Sequence, residues 1–137
     1  MTGLMVCLAV LAAASAYGVL HKRRSGRVRV RGRDDGKRLG AAELGGALGE
    51  RATLVQFSSA FCAPCRATRR ILGEVAAMVP GVAHVEIDAE ARLDLVRALD
   101  ILKTPTVLVL DADGRIVRRA TGQPRRADVI AALGEAV

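Results

Sequence analysis

The sequence is poor in aromatic residues and in cysteine. The first shortage limits the composition of the core, and the second excludes a class of disulfide-rich protein. Its 137 residues include no Trp, one Tyr and two Phe, so a hydrophobic core has to be built from Leu, Val, Ile and Ala. Three cysteines are too few for the disulfide framework of a small secreted scaffold, and an odd number argues against complete pairing. The length allows one domain of ordinary size plus an appendage.

Acidic residues are scarce in one part of the chain only, so the charge distribution is uneven. The net charge is +7, and residues 21–38 alone contain nine Lys/Arg against two Asp. Residues 39–137 contain twelve Lys/Arg and twelve Asp/Glu and are therefore neutral. A nucleic-acid-binding domain carries its positive charge on the folded surface, so this distribution predicts no nucleic-acid partner.

Charged side chains are missing altogether from residues 2–20. At a rise of about 1.5 Å per residue, a helix of this length spans roughly the 30 Å hydrocarbon core of a bilayer. We therefore predict a transmembrane anchor over residues 1–21 and a basic juxtamembrane linker over residues 22–37. A cleaved signal peptide with its cleavage site at residues 14–16 is the alternative, although the segment lacks the positively charged start of such peptides.

The position of the positive charge predicts the orientation of this anchor. The cluster from His21 to Arg24 follows the apolar segment directly, and the positive-inside rule then places the rest of the chain in the cytoplasm. We expect the basic side chains of residues 21–38 to contact anionic membrane lipids, at about 1 kcal/mol for each charge near the surface. We therefore predict a single-pass membrane protein with a cytoplasmic domain.

The rest of the chain alternates between patterns typical of strands and of helices. β-branched and alternating runs indicate strands, and apolar residues at helical spacing indicate helices. The predicted elements are an edge strand at 27–31, a helix at 38–48, a strand at 52–59, a helix at 62–79, a strand at 82–88, a helix at 90–100, two strands around a turn at 112–114, and a C-terminal helix from 124. This order predicts an α/β fold in which helices flank a central mixed β-sheet.

Two of the cysteines, Cys62 and Cys65, lie where the strand at 52–59 gives way to a helix. A helix N-terminus presents unpaired N–H groups and the positive end of the helix dipole, and both stabilise a thiolate. We therefore expect a lowered pKa for Cys62, with Cys65 in disulfide reach as the resolving thiol. Pro64 fits the first helical turn and stiffens the short loop between the thiols, and Arg66 adds positive charge nearby.

A metal site and a purely structural pair are the alternatives for Cys62 and Cys65. A closed zinc site needs four ligands, and the other thiol and imidazole side chains are Cys7 in the apolar segment and the scattered His21 and His84. We therefore expect no metal, and we interpret the pair as a redox-active dithiol.

The order of elements and motifs makes residues 52–137 similar to the thioredoxin family, with residues 38–51 as the first helix of the same domain. The motif FCAPCR ends a buried strand, the strand VEID follows, and KTPTVLVLD comes where the family has its cis-proline. A glycine, Gly122, follows the last strand. A CxxC motif alone is a weak signal, but joined to a downstream Thr-Pro-Thr in this order it is specific. The resemblance implies a thioredoxin fold over residues 38–137.

The resemblance also implies a function and a set of site residues. Cys62 is then the nucleophile that attacks a disulfide in a client protein, and Cys65 resolves the mixed disulfide. Pro105 is then cis and packs beside the disulfide, and together with Thr104 it aligns an extended client strand. Such an exchange requires no bound cofactor, but an electron donor that the sequence does not identify must recycle the oxidised pair.

Four positions depart from the family pattern. Phe61 stands where the family has Trp before the first cysteine, and Ala63 stands where it has Gly. The family usually has a buried Asp in the strand before the motif and a Lys near it, and this chain has Gln56 and His84 instead. Gln cannot accept a proton, so we expect deprotonation of Cys65 to lack its usual base. His84 is a candidate replacement, although a half-buried strand histidine is the simpler interpretation.

Two alternatives to a cytoplasmic oxidoreductase remain at this point. An exported domain would run the same chemistry on the outer side of the membrane, as an oxidant or reductant of client thiols, but the basic run after the apolar segment disfavours it. A non-catalytic docking module at the membrane would need neither thiol, and the presence of both Cys62 and Cys65 disfavours that interpretation.

Overall fold

The fold is described from a computed structural model that covers residues 1–24, 28–29 and 37–137. Its elements are α1 (Thr2–Arg24), β1 (Val28–Arg29), α2 (Ala41–Leu44), β2 (Ala52–Ser58), α3 (Ala63–Met78), β3 (Val82–Asp88), α4 (Leu93–Ala98), β4 (Thr106–Asp111), β5 (Ile116–Thr121) and α5 (Arg126–Ala136). Their order is the predicted one. Most of the predicted linker at 22–37, and the flanks of the predicted edge strand at 27–31, lie outside the described residues.

A five-stranded sheet with the order β1-β5-β4-β2-β3 organises the domain. β2 runs parallel to β3 and antiparallel to β4, while β5 is antiparallel to both β4 and β1. The parallel pair arises because α3 crosses over between β2 and β3, and the antiparallel pair arises from the β4–β5 hairpin. The predicted mixed sheet is therefore confirmed.

Strand β2 is the centre of the core, because all seven of its residues are buried. Helices cover both faces of the strand, which explains why its sequence reads as a nearly continuous apolar run. The core on one face contains Val55, Phe57, Leu95, Leu99 and Leu108, and that on the other contains Leu54, Leu72, Val75, Val109 and Val129. Aliphatic side chains dominate both, as the scarcity of aromatic residues predicts.

Helices α2 and α4 are shorter than the sequence predicts. Gly45 ends α2 with a φ of 71°, which is the left-handed conformation that glycine adopts without steric cost. After α4, Asp100 also has a positive φ of 53°. Apolar spacing therefore located both helices, but local backbone geometry decided their length.

Helix α1 is mostly apolar, and its residues up to Lys22 are exposed. Residues Thr2–Lys22 form a segment of 21 residues whose most apolar stretch has a mean hydropathy of 2.1, and none of that stretch is buried against the rest of the protein. Length and composition are those of a membrane-spanning helix, and a signal sequence near an N-terminus has the same properties.

Candidate active site

Cys62 and Cys65 lie at the junction of β2 and α3. Cys62 is the N-cap residue of α3, and the backbone N–H of Cys65 donates a hydrogen bond to Cys62 Sγ over 3.2 Å. The two sulfurs form a disulfide, and the Cα atoms are 5.2 Å apart. Ala63 and Pro64 occupy the first turn, where an N–H group has no partner within the helix and proline is tolerated.

The two sulfurs differ in access. Cys65 is 1% exposed, whereas Cys62 is only half-buried. Phe61, directly before Cys62, is fully exposed and has a φ of 59°, in a region that non-glycine residues seldom occupy. Arg66 is exposed on the first turn of α3. A protein that approaches this end of α3 therefore meets Cys62 first, with an apolar ring beside it.

The loop before β4 packs against the cysteine pair. The Thr104–Pro105 peptide bond is cis, and Thr104 Oγ1 lies 3.9 Å from Cys62 Sγ. On its other side Thr104 Oγ1 is 2.7 Å from Ser59 Oγ. Pro105 is buried, and its carbonyl accepts a hydrogen bond of 2.8 Å from the backbone N–H of Gly122. The fold thus brings together two motifs that lie about forty residues apart in the sequence.

A buried amide holds the backbone of Cys65. Gln56 is fully buried in β2, and its Nε2 donates to the carbonyl of Cys65 over 2.8 Å and to Ser58 Oγ over 2.9 Å. Its Oε1 lies 3.2 Å from His84 Nε2. Because an amide oxygen can only accept, His84 Nε2 is the protonated ring nitrogen. The side chain of Gln56 therefore joins His84 to the main chain of the buried cysteine.

The environment of His84 favours the neutral form of its imidazole. Burial lowers the pKa of His84, the negative charge of Glu86 opposes that shift, and Arg69 on α3 reinforces it. Glu86 itself is paired with Arg69, whose Nη2 donates to Glu86 Oε1 over 2.7 Å. His84 is thus the half-buried strand histidine of the simpler interpretation, and it is also the outer member of the hydrogen-bonded group around Gln56.

The lowered pKa of His84 predicts a contribution to stability that depends on pH. The folded protein binds this proton less readily than the unfolded chain, so the contribution is present above about pH 6.5 and is lost as the pH falls. We expect His84→Gln to reduce the loss of unfolding free energy between about pH 7.5 and pH 5. Urea unfolding of the full chain in detergent, followed by circular dichroism, measures this loss of unfolding free energy.

The matched control for that experiment is His21→Gln, which removes the other histidine of the chain. A change that His84→Gln produces and His21→Gln does not is specific to the strand histidine. If His84→Gln and the parent lose the same unfolding free energy on acidification, His84 does not make the predicted contribution.

Sequence reasoning did not identify Ser58 and Ser59 as site residues. Ser58 accepts from Gln56 Nε2, and Ser59 pairs with Thr104 across 45 positions of sequence. The available signal was their position, because two consecutive hydroxyl residues end the predicted strand at 52–59 and precede the CxxC motif. Their partners depend on the packing of distant segments, which composition and spacing leave undetermined.

Two further features of the surface bear on what the site can bind. Within residues 1–24, 28–29 and 37–137, no cluster of three or more His, Cys, Asp or Glu side chains is suited to hold a metal ion. A cavity of about 260 Å³ opens next to Thr104, and its lining includes Leu93, Val96, Ile101 and Leu102. The site thus combines a disulfide-forming pair with an adjacent apolar recess.

Comparison with known proteins agrees with this geometry. The family model described as Thioredoxin matches residues 46–135. A thioredoxin from Mycolicibacterium smegmatis is 30% identical over 87 residues, which are 61% of this chain and 77% of that protein. A mutant thioredoxin from Halobacterium salinarum superposes with a TM-score of 0.58 at 20% identity, over 64% of this chain and 75% of that one. Mitochondrial thioredoxin 3 of Saccharomyces cerevisiae superposes with a TM-score of 0.55 at 17% identity, over 63% of this chain and 79% of that one. These two structures bear on the fold alone.

Proposed function

The chain belongs to the thioredoxin family, and from that premise we propose that it is a membrane-tethered oxidoreductase that exchanges disulfides with client proteins through Cys62 and Cys65. The observation that carries the proposal is the arrangement of this pair, in which an accessible sulfur at the N-terminus of α3 is joined to a buried one. That asymmetry supplies one sulfur for attack and one for resolution.

The exchange proceeds in two steps. In the reduced protein the Cys62 thiolate attacks one sulfur of a client disulfide, and the other client sulfur leaves as a thiolate and takes up a proton. The Cys65 thiolate then attacks Cys62 Sγ, which forms the Cys62–Cys65 disulfide and releases the second client cysteine. Two electrons pass to the client in this way. An external electron donor returns two electrons to the oxidised pair.

Two groups of residues would position the client. The N-terminus of α3 stabilises the thiolate of Cys62, and Thr104 and Pro105 align an extended client segment beside it. Phe61, directly before Cys62, and Leu102, two residues before Thr104, are 107% and 89% exposed and offer apolar contacts to the client. Together with the recess next to Thr104, they favour a client cysteine that has apolar neighbours.

The remaining parts of the chain form the tether. Residues 1–21 are the transmembrane anchor, residues 22–37 are a basic linker and residues 38–137 are the oxidoreductase domain, which lies on the cytoplasmic side. Support for this comes from the length and hydropathy of α1 and from the basic residues after it. Anionic lipids would contact residues 21–38.

A redox titration distinguishes this function from the alternative of a non-catalytic docking module. We expect the Cys62/Cys65 pair of the full chain in detergent to pass reversibly between dithiol and disulfide across glutathione buffers, as read by thiol alkylation and mass spectrometry. The double variant Cys62→Ser, Cys65→Ser is the control for the signal of Cys7. A pair that stays in one state across the whole range of buffers would favour the docking module.

The tether and its orientation are tested by fractionation and labelling. We expect the full chain to stay in the membrane fraction after a high-salt wash and to be released by detergent, because an apolar helix anchors it. In a Cys7→Ser background, a membrane-impermeant maleimide should label Cys62 only after the cells are permeabilised. A shortened soluble form that begins near Tyr17 would identify a cleaved signal, and labelling in intact cells would identify an exported domain.

A further inference from the structure

The hydroxyl groups of Thr104 and Ser59 lie one behind the other next to Cys62, and the exchange steps above assign no role to Ser59. Ser59 Oγ is 2.7 Å from Thr104 Oγ1, which in turn is 3.9 Å from Cys62 Sγ. Ser59 follows β2 and Thr104 precedes β4, and both residues are half-buried. The fold therefore places a chain of two hydroxyls beside the exposed sulfur of the pair.

The chemistry of the three groups gives this chain a direction. A hydroxyl has one hydrogen to donate, and a thiolate can only accept. When Thr104 gives its hydrogen to the sulfur of Cys62, its oxygen is left to accept, and the neighbour within reach is the hydroxyl of Ser59. The hydrogen bond from Ser59 thus fixes the rotation of the Thr104 hydroxyl toward Cys62.

Such a chain acts mainly on the reduced protein. Hydrogen bonds to an ionised acceptor are roughly twice as strong as neutral ones, and neighbouring bonds in a chain polarise each other. The sulfur of a disulfide carries no charge and gains less from the same donor. Cys62 Sγ already accepts from the backbone N–H of Cys65, so the hydroxyl of Thr104 is a second donor toward the same sulfur.

We propose that Ser59 is a positioning residue for thiol exchange, whose hydroxyl turns the Thr104 hydroxyl onto Cys62 Sγ and thereby stabilises the Cys62 thiolate. This rests on the proposed function of Cys62 as the nucleophile. The effect of Ser59 on the sulfur passes through Thr104. The competing role is purely structural, with the hydroxyl pair tying the end of β2 to the loop that holds Pro105.

The test is the pH dependence of Cys62 alkylation by iodoacetamide in the full chain, with Cys7→Ser and Cys65→Ser as the parent background. Below the pKa of Cys62 the rate follows the thiolate fraction. We expect Thr104→Val to slow alkylation there about tenfold and Ser59→Ala about threefold, in line with the loss or misalignment of a hydrogen bond to a charged group. All rates should converge at high pH, where the thiol is ionised in every variant.

Two further variants separate positioning from structure. Ser59→Ala added to Thr104→Val should slow alkylation no further, because the first effect requires the threonine hydroxyl, and Ser59→Thr should restore the parent rate. Additive effects, or a Ser59→Ala variant that melts earlier but keeps the parent pH profile, would overturn the proposal. If Cys62 of the parent titrates like an ordinary cysteine, the assignment of Cys62 as an activated nucleophile falls as well.

Discussion

We expect Cys62→Ser to abolish disulfide reduction and Cys65→Ser to accumulate mixed disulfides with client proteins; this is the largest effect expected from any substitution in the chain. Without Cys62 no accessible sulfur remains at the N-terminus of α3 to attack a client. Without Cys65 the attack succeeds, but nothing within the protein can displace the client from Cys62. Turnover of a protein disulfide such as that of insulin, with dithiothreitol as the donor, should fall to the uncatalysed rate for Cys62→Ser.

The matched control for both variants is Cys7→Ser, which removes the third cysteine far from the motif in sequence and should keep full activity. Non-reducing electrophoresis detects the mixed disulfides that Cys65→Ser accumulates. If Cys65→Ser turns over the substrate as fast as the parent, the roles assigned to the two cysteines are wrong.

Gln56→Asp is expected to accelerate resolution of the mixed disulfide severalfold near neutral pH. Cys65 is 1% exposed, and burial disfavours its thiolate. A nearby base assists such a deprotonation by about 10²–10⁴-fold when its geometry is good. Gln56 Nε2 is only 2.8 Å from the carbonyl of Cys65, so a carboxylate at position 56 is close to that cysteine. The aspartate side chain is one methylene shorter than that of glutamine, so its carboxylate is less well placed, and we expect only a severalfold acceleration of resolution.

The measurement is the rate at which reduced client is released from a preformed mixed disulfide, between about pH 6 and pH 9. The parent rate should rise with pH as more Cys65 ionises, and Gln56→Asp should flatten that rise. Gln56→Asn is the matched control, because it removes the same methylene without adding a base. Equal acceleration by both variants would trace the effect to lost packing around Cys65, and no acceleration by Gln56→Asp would mean that the missing carboxylate is not limiting.

The order of the elements could be predicted from the sequence because burial leaves a pattern along each of them. All seven residues of β2 are buried, and the sequence there is correspondingly rich in β-branched and apolar residues. The lengths of α2 and α4 could not be predicted in the same way. The C-terminal ends of both helices are followed within two residues by a residue in a left-handed conformation, Gly45 and Asp100, whose effect is local and does not alter the apolar spacing.

The features of the candidate site also differ in whether they could be predicted from the sequence. The position of Cys62 and Cys65 at the start of α3 follows from a short motif, because an N-cap is a property of a few consecutive residues. The place of Pro105 beside them was implied by the resemblance to the thioredoxin family. The contact between Gln56 and His84 depends on the parallel register of β2 and β3, which places Leu54 opposite His84 and Gln56 opposite Glu86. The contact between Ser59 and Thr104 depends on how the loop before β4 packs. Neither the register nor the packing of that loop can be derived from spacing within one segment.

The most direct test of the account is to determine which sulfur of this protein is bonded to the client in the trapped complex. The Cys65→Ser protein, in full-length form and with Cys7 intact, is mixed with an oxidised client, and the mixed disulfide is isolated, digested without reduction and mapped by mass spectrometry. The account predicts a single linkage, between the client cysteine and Cys62. A linkage to Cys7, or no covalent complex under conditions in which the parent protein reduces the same client, would contradict it.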